Sequence, residues 1–246
     1  MRLIFLALCL LVAFPARAAA PELLASLDAL FAKRAEAAPL KELEDTLKKE
    51  LQAAPEDYEL LWRTARMQVW QADGAGDERL KKVLGRQAWD TCEKGVKIAP
   101  QRVECQYFAA AGIGVYSQAV GILKALKEGL EGKFNERLDA AIKLDPTYDK
   151  GAPWLAKGRY HYELPWPKRD LAESAKLYEK AIAKFPENLR AHYYLAETLL
   201  ADDKAEKARE AILKVKQGSV AYDPPEGRRV QDWAKKVEAK ITEELE

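Results

Sequence analysis

Residues 189–217 read LRAHYYLAETLLADDKAEKAREAILKVKQ, and their apolar side chains recur three and four apart in two runs separated by a short polar break. That spacing puts each apolar set on one face of a helix, so the stretch predicts two amphipathic helices joined by a tight turn. Large residues (Leu195, Leu199, Ile212, Val215) alternate with small ones (Ala196, Ala208). Such an alternation lets two antiparallel helices close on each other and on a following pair. The chain is therefore expected to be all-α.

Working towards the N-terminus, the pattern returns in weaker form. The preceding unit supplies Leu155, Ala156, Tyr178, Ala181 and Pro186, with extra residues around 162–168. The unit before it carries Ala109 and Ala110, then Leu138, Ala141 and Pro146, while residues 58–100 match only in character through Ala65, Ala88, Cys92 and Gly95. Prolines at 55, 100, 146 and 186 close successive amphipathic segments at intervals of 45, 46 and 40 residues. Those intervals exceed the roughly 34-residue tetratricopeptide period, as expected of repeats with added turns. The expected fold is a set of divergent tetratricopeptide-like helical repeats forming an α-solenoid or a compact helical array. Helices are predicted near 23–33, 40–53, 58–72 and 77–96, and capping boxes at Asp170 with Glu173 and at Asp203 with Glu206.

The first eighteen residues, MRLIFLALCLLVAFPARA, combine a basic Arg2, an apolar run too short to span a bilayer, and small residues at Ala16 and Ala18. They read as a signal peptide cleaved after Ala18, and so predict an exported or periplasmic protein. Four segments follow: the signal peptide at 1–18, N-terminal helices at 19–57, the repeat domain at 58–217, and a linker with a C-terminal helix at 218–246. The net charge of +1 becomes −1 once Arg2 and Arg17 leave, so nothing global steers the chain to nucleic acid.

Catalytic chemistry is not indicated. His161 and His192 stand in no metal-ligand spacing, no serine sits in a nucleophile elbow, and no glycine loop cradles phosphate. No enzyme activity, metal or cofactor is expected. Cys92 and Cys105 fall on either side of Pro100 on adjacent antiparallel helices; they read as a disulfide, or else as two free buried small residues.

Two regions invite a binding role. In residues 111–145, Gly112, Gly114 and Gly121 permit close helix approach or a break, and Val120, Leu123, Leu126, Leu130, Phe134 and Leu138 form an apolar stripe. The stripe is either core or the lining of a groove. Around the Pro165-Trp166-Pro167 break, Tyr160, Tyr162, Trp166 and the later Tyr194 are suited to a partner surface, or else to packing between repeats. The prolines hold Trp166 in a non-helical connection.

The run GRYHYELPWPKRDL (158–171), the following A-x-x-Y-x-K-A-I-x-x-x-P-x-N and the HYYLAE at 192–197 make residues 58–217 resemble the tetratricopeptide-like TatT family. That family is the periplasmic T component of some TRAP transporters. The resemblance implies a non-enzymatic scaffold that binds a periplasmic solute-binding protein, forms homo-oligomers, and carries an apolar or amphipathic small molecule through a hydrophobic passage. It places Val120, Leu123 and Leu126 on that passage, bounded by Val115 and Tyr160, with Trp166 at its rim or interface. The lack of a lipoprotein signal departs from the family's pattern. A general periplasmic interaction scaffold in envelope assembly is the alternative.

Overall fold

A computed structural model describes residues 19–246, and among them it contains twelve helices and no strand. The expected signal peptide lies outside the described residues. The helices are α1 (Pro21–Ala32), α2 (Ala37–Ala53), α3 (Tyr58–Asp73), α4 (Glu78–Ile98), α5 (Val103–Val120), α6 (Ile122–Lys127), α7 (Leu130–Leu144), α8 (Tyr148–Glu163), α9 (Leu171–Lys184), α10 (Leu189–Ala201), α11 (Ala205–Gln217) and α12 (Pro224–Leu245). Most pack mainly on their neighbours in sequence, α4 on α5 most extensively, as expected of a helical array, while α7 packs chiefly on α5.

Three apolar clusters follow one another along the chain. Leu27, Leu43, Leu47, Leu60 and Met67 unite α1 to α3. Trp62, Ala88, Cys92, Phe108, Ile113 and Leu130 unite α3 to α7. Leu155, Tyr178, Leu189, Ile212, Val230 and Ile241 unite α8 to α12. Leu27 and Leu47 are wholly buried, and each such side chain contributes about 1.5–3 kcal/mol. The small residues of the opening stretch, Ala196 and Ala208, are also wholly buried, and Val215 and Ile212 close against them.

Glycines set both the closest contact and the sharpest breaks. At the α4–α5 crossing a Cβ on Gly112 would stand 2.6 Å from the Trp89 amide nitrogen, and one on Gly85 would stand 2.8 Å from that of Tyr116. The two backbones touch only because both residues are glycine. The glycine-containing stretch that carries the apolar stripe is split among α5, α6 and α7, by Gly121 at φ +91° and Gly129 at φ +73°. Of the two expected capping boxes, Asp170 accepts from the Glu173 amide at 2.9 Å. The other is not formed: Asp203 takes a left-handed φ of +54°, and Lys204 stands at the cap without a side-chain bond.

A further turn positions the site. Asp149, Lys150 and Gly151 all have left-handed backbones, with φ of +45°, +55° and +81°, before regular helix resumes at Ala152 with Pro153 in its first turn. Non-glycine residues held there cost roughly 1–3 kcal/mol each. Asn188 donates to the Lys150 carbonyl at 3.0 Å and the Gly151 amide to the Thr147 carbonyl at 3.1 Å, which hold the turn in place.

Candidate functional site: an aromatic and charged chamber

The array holds a cavity of about 1100 Å³ that is partly open to solvent. Val115 of α5, Ile122 and Leu126 of α6, and Leu130 and Phe134 of α7 give it an apolar wall. Aromatic rings continue from there: Phe108 stacks on Trp62 with centroids 6.4 Å apart and meets Tyr148 edge-on, and Tyr107 lies 5.7 Å from Tyr148. Tyr160 stacks on Phe134 at 5.6 Å and donates to Glu131 at 2.8 Å.

A second wall is charged and paired. Arg34 donates to Asp223 at 2.6 Å, and Arg190 donates to Asp73 at 2.8 Å, to Glu226 and to the Tyr194 hydroxyl. Arg159 pairs with Glu197 and Glu163, each at 2.7 Å. Burial works against the Arg190 charge, but Asp73 and Glu226 outweigh it and hold the guanidinium firmly protonated. Arg229 is pulled down by burial to about 10, Asp73 only partly opposing this.

Among the described residues the Asp149 carboxyl is engaged by no hydrogen bond, and only burial and neighbouring charges act on it. Protein surrounds it closely enough to push its carboxyl above the usual range, chiefly by burial and then by the charge of Asp223. Even so its side chain is exposed, because the surface it keeps faces the chamber. Burial likewise pushes the Tyr107 and Tyr148 hydroxyls up. The left-handed turn at 149–151 therefore delivers one free carboxyl group to a ring-lined interior.

The residues singled out from the sequence divide. Val115, Leu126, Tyr160 and Tyr194 line the chamber. Val120 packs into the α3–α7 core instead. Leu123 points outward, 65% exposed, because the break at Gly121 takes it off the stripe that continues through Leu130 and Leu138. Trp166 is 88% exposed on its loop, outside the chamber, and Tyr162 lies beneath the guanidiniums of Arg159 and Arg169 at 4.5 and 4.9 Å. Cys92 and Cys105 do meet, with sulfurs 3.0 Å apart, as free thiols that are wholly buried rather than as a bonded pair. Sequence reasoning missed Arg34, Trp70, Asp73, Asp149, Arg190 and Arg229. The one local signal was the residue run Tyr148-Asp149-Lys150-Gly151 ahead of a helix-starting proline.

Among the described residues no group of three or more His, Cys, Asp or Glu side chains is placed to hold a metal ion, and no helix is long and apolar enough to cross a membrane. The fold and its chamber define a helical-array protein with a large, partly open cavity. Residues 23–241 match the family model described as Regulator of microtubule dynamics protein 1-3, and the chain belongs to that family. No curated protein matches it.

This membership overturns the resemblance to the TRAP-associated TatT family. With it go the transporter role, the periplasmic solute-binding partner, the small molecule passing through the protomer and the oligomer inferred from that family, the export reading with cleavage after Ala18, and the envelope-scaffold alternative. The misreading has a physical source. Alternating large and small residues are what any pair of antiparallel helices needs to close, so the pattern marks a helical array without marking which one. The aromatic-proline loop that seemed diagnostic is a surface connection.

Proposed function

We propose that this chain is a non-catalytic binding protein, built from divergent tetratricopeptide-like repeats over residues 58–217 and closed by the segments 19–57 and 218–246. It takes an elongated ligand with an apolar part and a polar end into its chamber, and through that complex acts on microtubule dynamics, as the name of its family describes. The observation that carries the reading is the chamber, whose apolar wall of Val115, Leu126 and Phe134 adjoins a wall of paired charges. Ligand pockets combine a largely apolar lining with a few placed polar groups, and their usual volume is about 300–1,000 Å³. The repeat assignment is supported by α10 and α11, each 13 residues long, with Leu195, Ala196, Ala208 and Ile212 buried at the crossing. Val115, Leu126, Tyr160 and Tyr194 are the proposed contacts, with Asp149 receiving the polar end. The exposed Trp166 loop is a proposed surface for a protein partner.

Two measurements test this. The fluorescent probe 1-anilinonaphthalene-8-sulfonate should bind saturably, and Ala111→Trp, which fills the chamber from α5, should remove that binding while leaving helix content unchanged. The purified protein should also change the rate of tubulin assembly followed by turbidity, and Ala111→Trp should weaken that effect. Undiminished probe binding by the variant would refute the chamber as the site.

A further inference from the structure

The chamber is closed along one side by contacts of a different kind from those that build the rest of the array. The N-terminal helices α1 to α3 and the C-terminal helices α10 and α12 come together there, yet none of α1 to α3 packs along α10 or α12. No apolar cluster joins the two groups. What joins them is a set of side chains far apart in sequence. Arg34, at the end of α1, donates to Asp223 at the start of α12 at 2.6 Å. Asp73, at the end of α3, accepts from Arg190 of α10 at 2.8 Å. Arg229 of α12 donates to the Trp70 carbonyl at 2.9 Å, and both Arg34 and Arg229 lie over the Trp70 ring.

Apart from this clasp, the two halves of the array meet where α7 turns into α8, through the left-handed residues 149–151, where Lys150 lies over the Tyr222 ring at 5.1 Å beside Asp223, and through only light packing of α8 on α5 and α7. The molecule thus has a charged clasp and, joining the same two halves, a lightly packed turn about which they can move.

We propose that the clasp is a door to the chamber: the halves α1–α7 and α8–α12 part at the Arg34, Asp73, Arg190 and Arg229 contacts to admit the ligand and close again over it. This rests on the chamber reading for its purpose, but the motion itself can be measured without any ligand. Charge-mediated contacts suit a door. They form without the broad apolar burial that makes a helix interface permanent, and they weaken with ionic strength, though less than exposed pairs do because Arg34 and Arg190 are largely covered. Apolar packing of the kind that joins α4 to α5 strengthens or holds under the same change. Asp73 is the residue to alter. It caps no helix, and without it Arg190 still keeps Glu226 and Tyr194 on its own side of the seam, while Arg229 loses its 3.9 Å pair with Asp73 but keeps the Trp70 carbonyl.

The experiment measures spin-label distances between Lys48→Cys on α2 and Lys235→Cys on α12, in a Cys9→Ser background. Both lysines are exposed, whereas Cys92 and Cys105 are wholly buried and should stay unlabelled. The expected result is one short distance in dilute salt. Asp73→Asn should raise a second, longer population by at least about fivefold, the lower end of the coupling usual between two states. Raising salt from about 0.05 M to about 1 M should shift the parent in the same direction to a smaller extent, since the partly buried pairs are screened less than exposed ones. Asp202→Asn, which removes a surface pair with Lys204 within the C-terminal half, should do neither. A distance distribution unmoved by both Asp73→Asn and salt would overturn the door. Retained probe binding by Ala111→Trp would instead refute the chamber and leave the measured opening standing, so the two failures are distinguishable.

Discussion

Replacing Gly112 with alanine tests the closest contact in the molecule. The added methyl would fall 2.6 Å from the Trp89 amide nitrogen, 2.8 Å from the Gly85 carbonyl oxygen and 3.2 Å from the Ala88 Cβ. Two of those three atoms are backbone, so no side chain can rotate out of the way and α4 and α5 must separate. Overpacking of this kind costs about 1–3 kcal/mol, and backbone atoms on the receiving side place Gly112→Ala near the top of that range. Alanine returns about 1 kcal/mol through its better helix propensity. The net loss is about 2 kcal/mol. For a domain of this size it should lower the melting temperature by about 4–8 °C. Gly132→Ala is the matched control. It lies in α7 with nothing within 4 Å of the added methyl, so only the propensity gain applies and the melting temperature should rise by about 2–4 °C. Calorimetry of the two variants beside the parent decides the matter. A Gly112→Ala protein melting at or above the parent would refute the claim that the α4–α5 backbones are in contact.

Glu59 gives a pH-dependent prediction. Burial pushes its carboxyl up, but hydrogen bonds from Arg102, Trp62 and Arg63 outweigh this and hold it at about 2, against 4.5 unperturbed. A carboxyl depressed on folding contributes stability that is complete above its unfolded value and fades as pH falls towards the folded one. Denaturant midpoints measured from pH 5 to about 2 should therefore fall less steeply in Glu59→Gln; parallel slopes would argue against the network. Cys92 and Cys105 should resist iodoacetamide in the native protein and both react once it is denatured without reductant. Mass spectrometry showing reaction only after reduction would establish the bond that the sequence invites. Trp166→Ala should leave the melting temperature unchanged, since the indole is exposed, while weakening tubulin-dependent effects if its loop contacts a partner.

The helices were legible because their signals are local. The three-and-four spacing around Leu195 and Ile212 fixed two helices and their facing sides, and both residues are buried where that spacing puts them. Gly112 and Gly121 were read as sites of close approach or a break, and each does one of these. Errors arose where one residue changes the phase. The stripe counted through Val120, Leu123 and Leu126 assumed a continuous helix, and the break at Gly121 turns Leu123 into solvent and Val120 into the core. The charged wall was out of reach for another reason: Arg34 and Asp223 are 189 residues apart, and Asp73 and Arg190 are 117 apart. No periodicity connects positions so distant, and each side chain alone reads as an ordinary solvated charge. The family was misassigned because a packing pattern shared by all helical arrays was read together with a local aromatic loop.

The Trp166 loop has one consequence for anyone handling the protein. Of the six tryptophans, Trp62, Trp70, Trp89 and Trp154 are buried and Trp233 is partly covered, so Trp166 is the one indole fully in water. Acrylamide should quench the red edge of the emission and little else. The protein thus carries its own surface beacon, and a partner settling on that loop would dim its access to quencher without any label being attached.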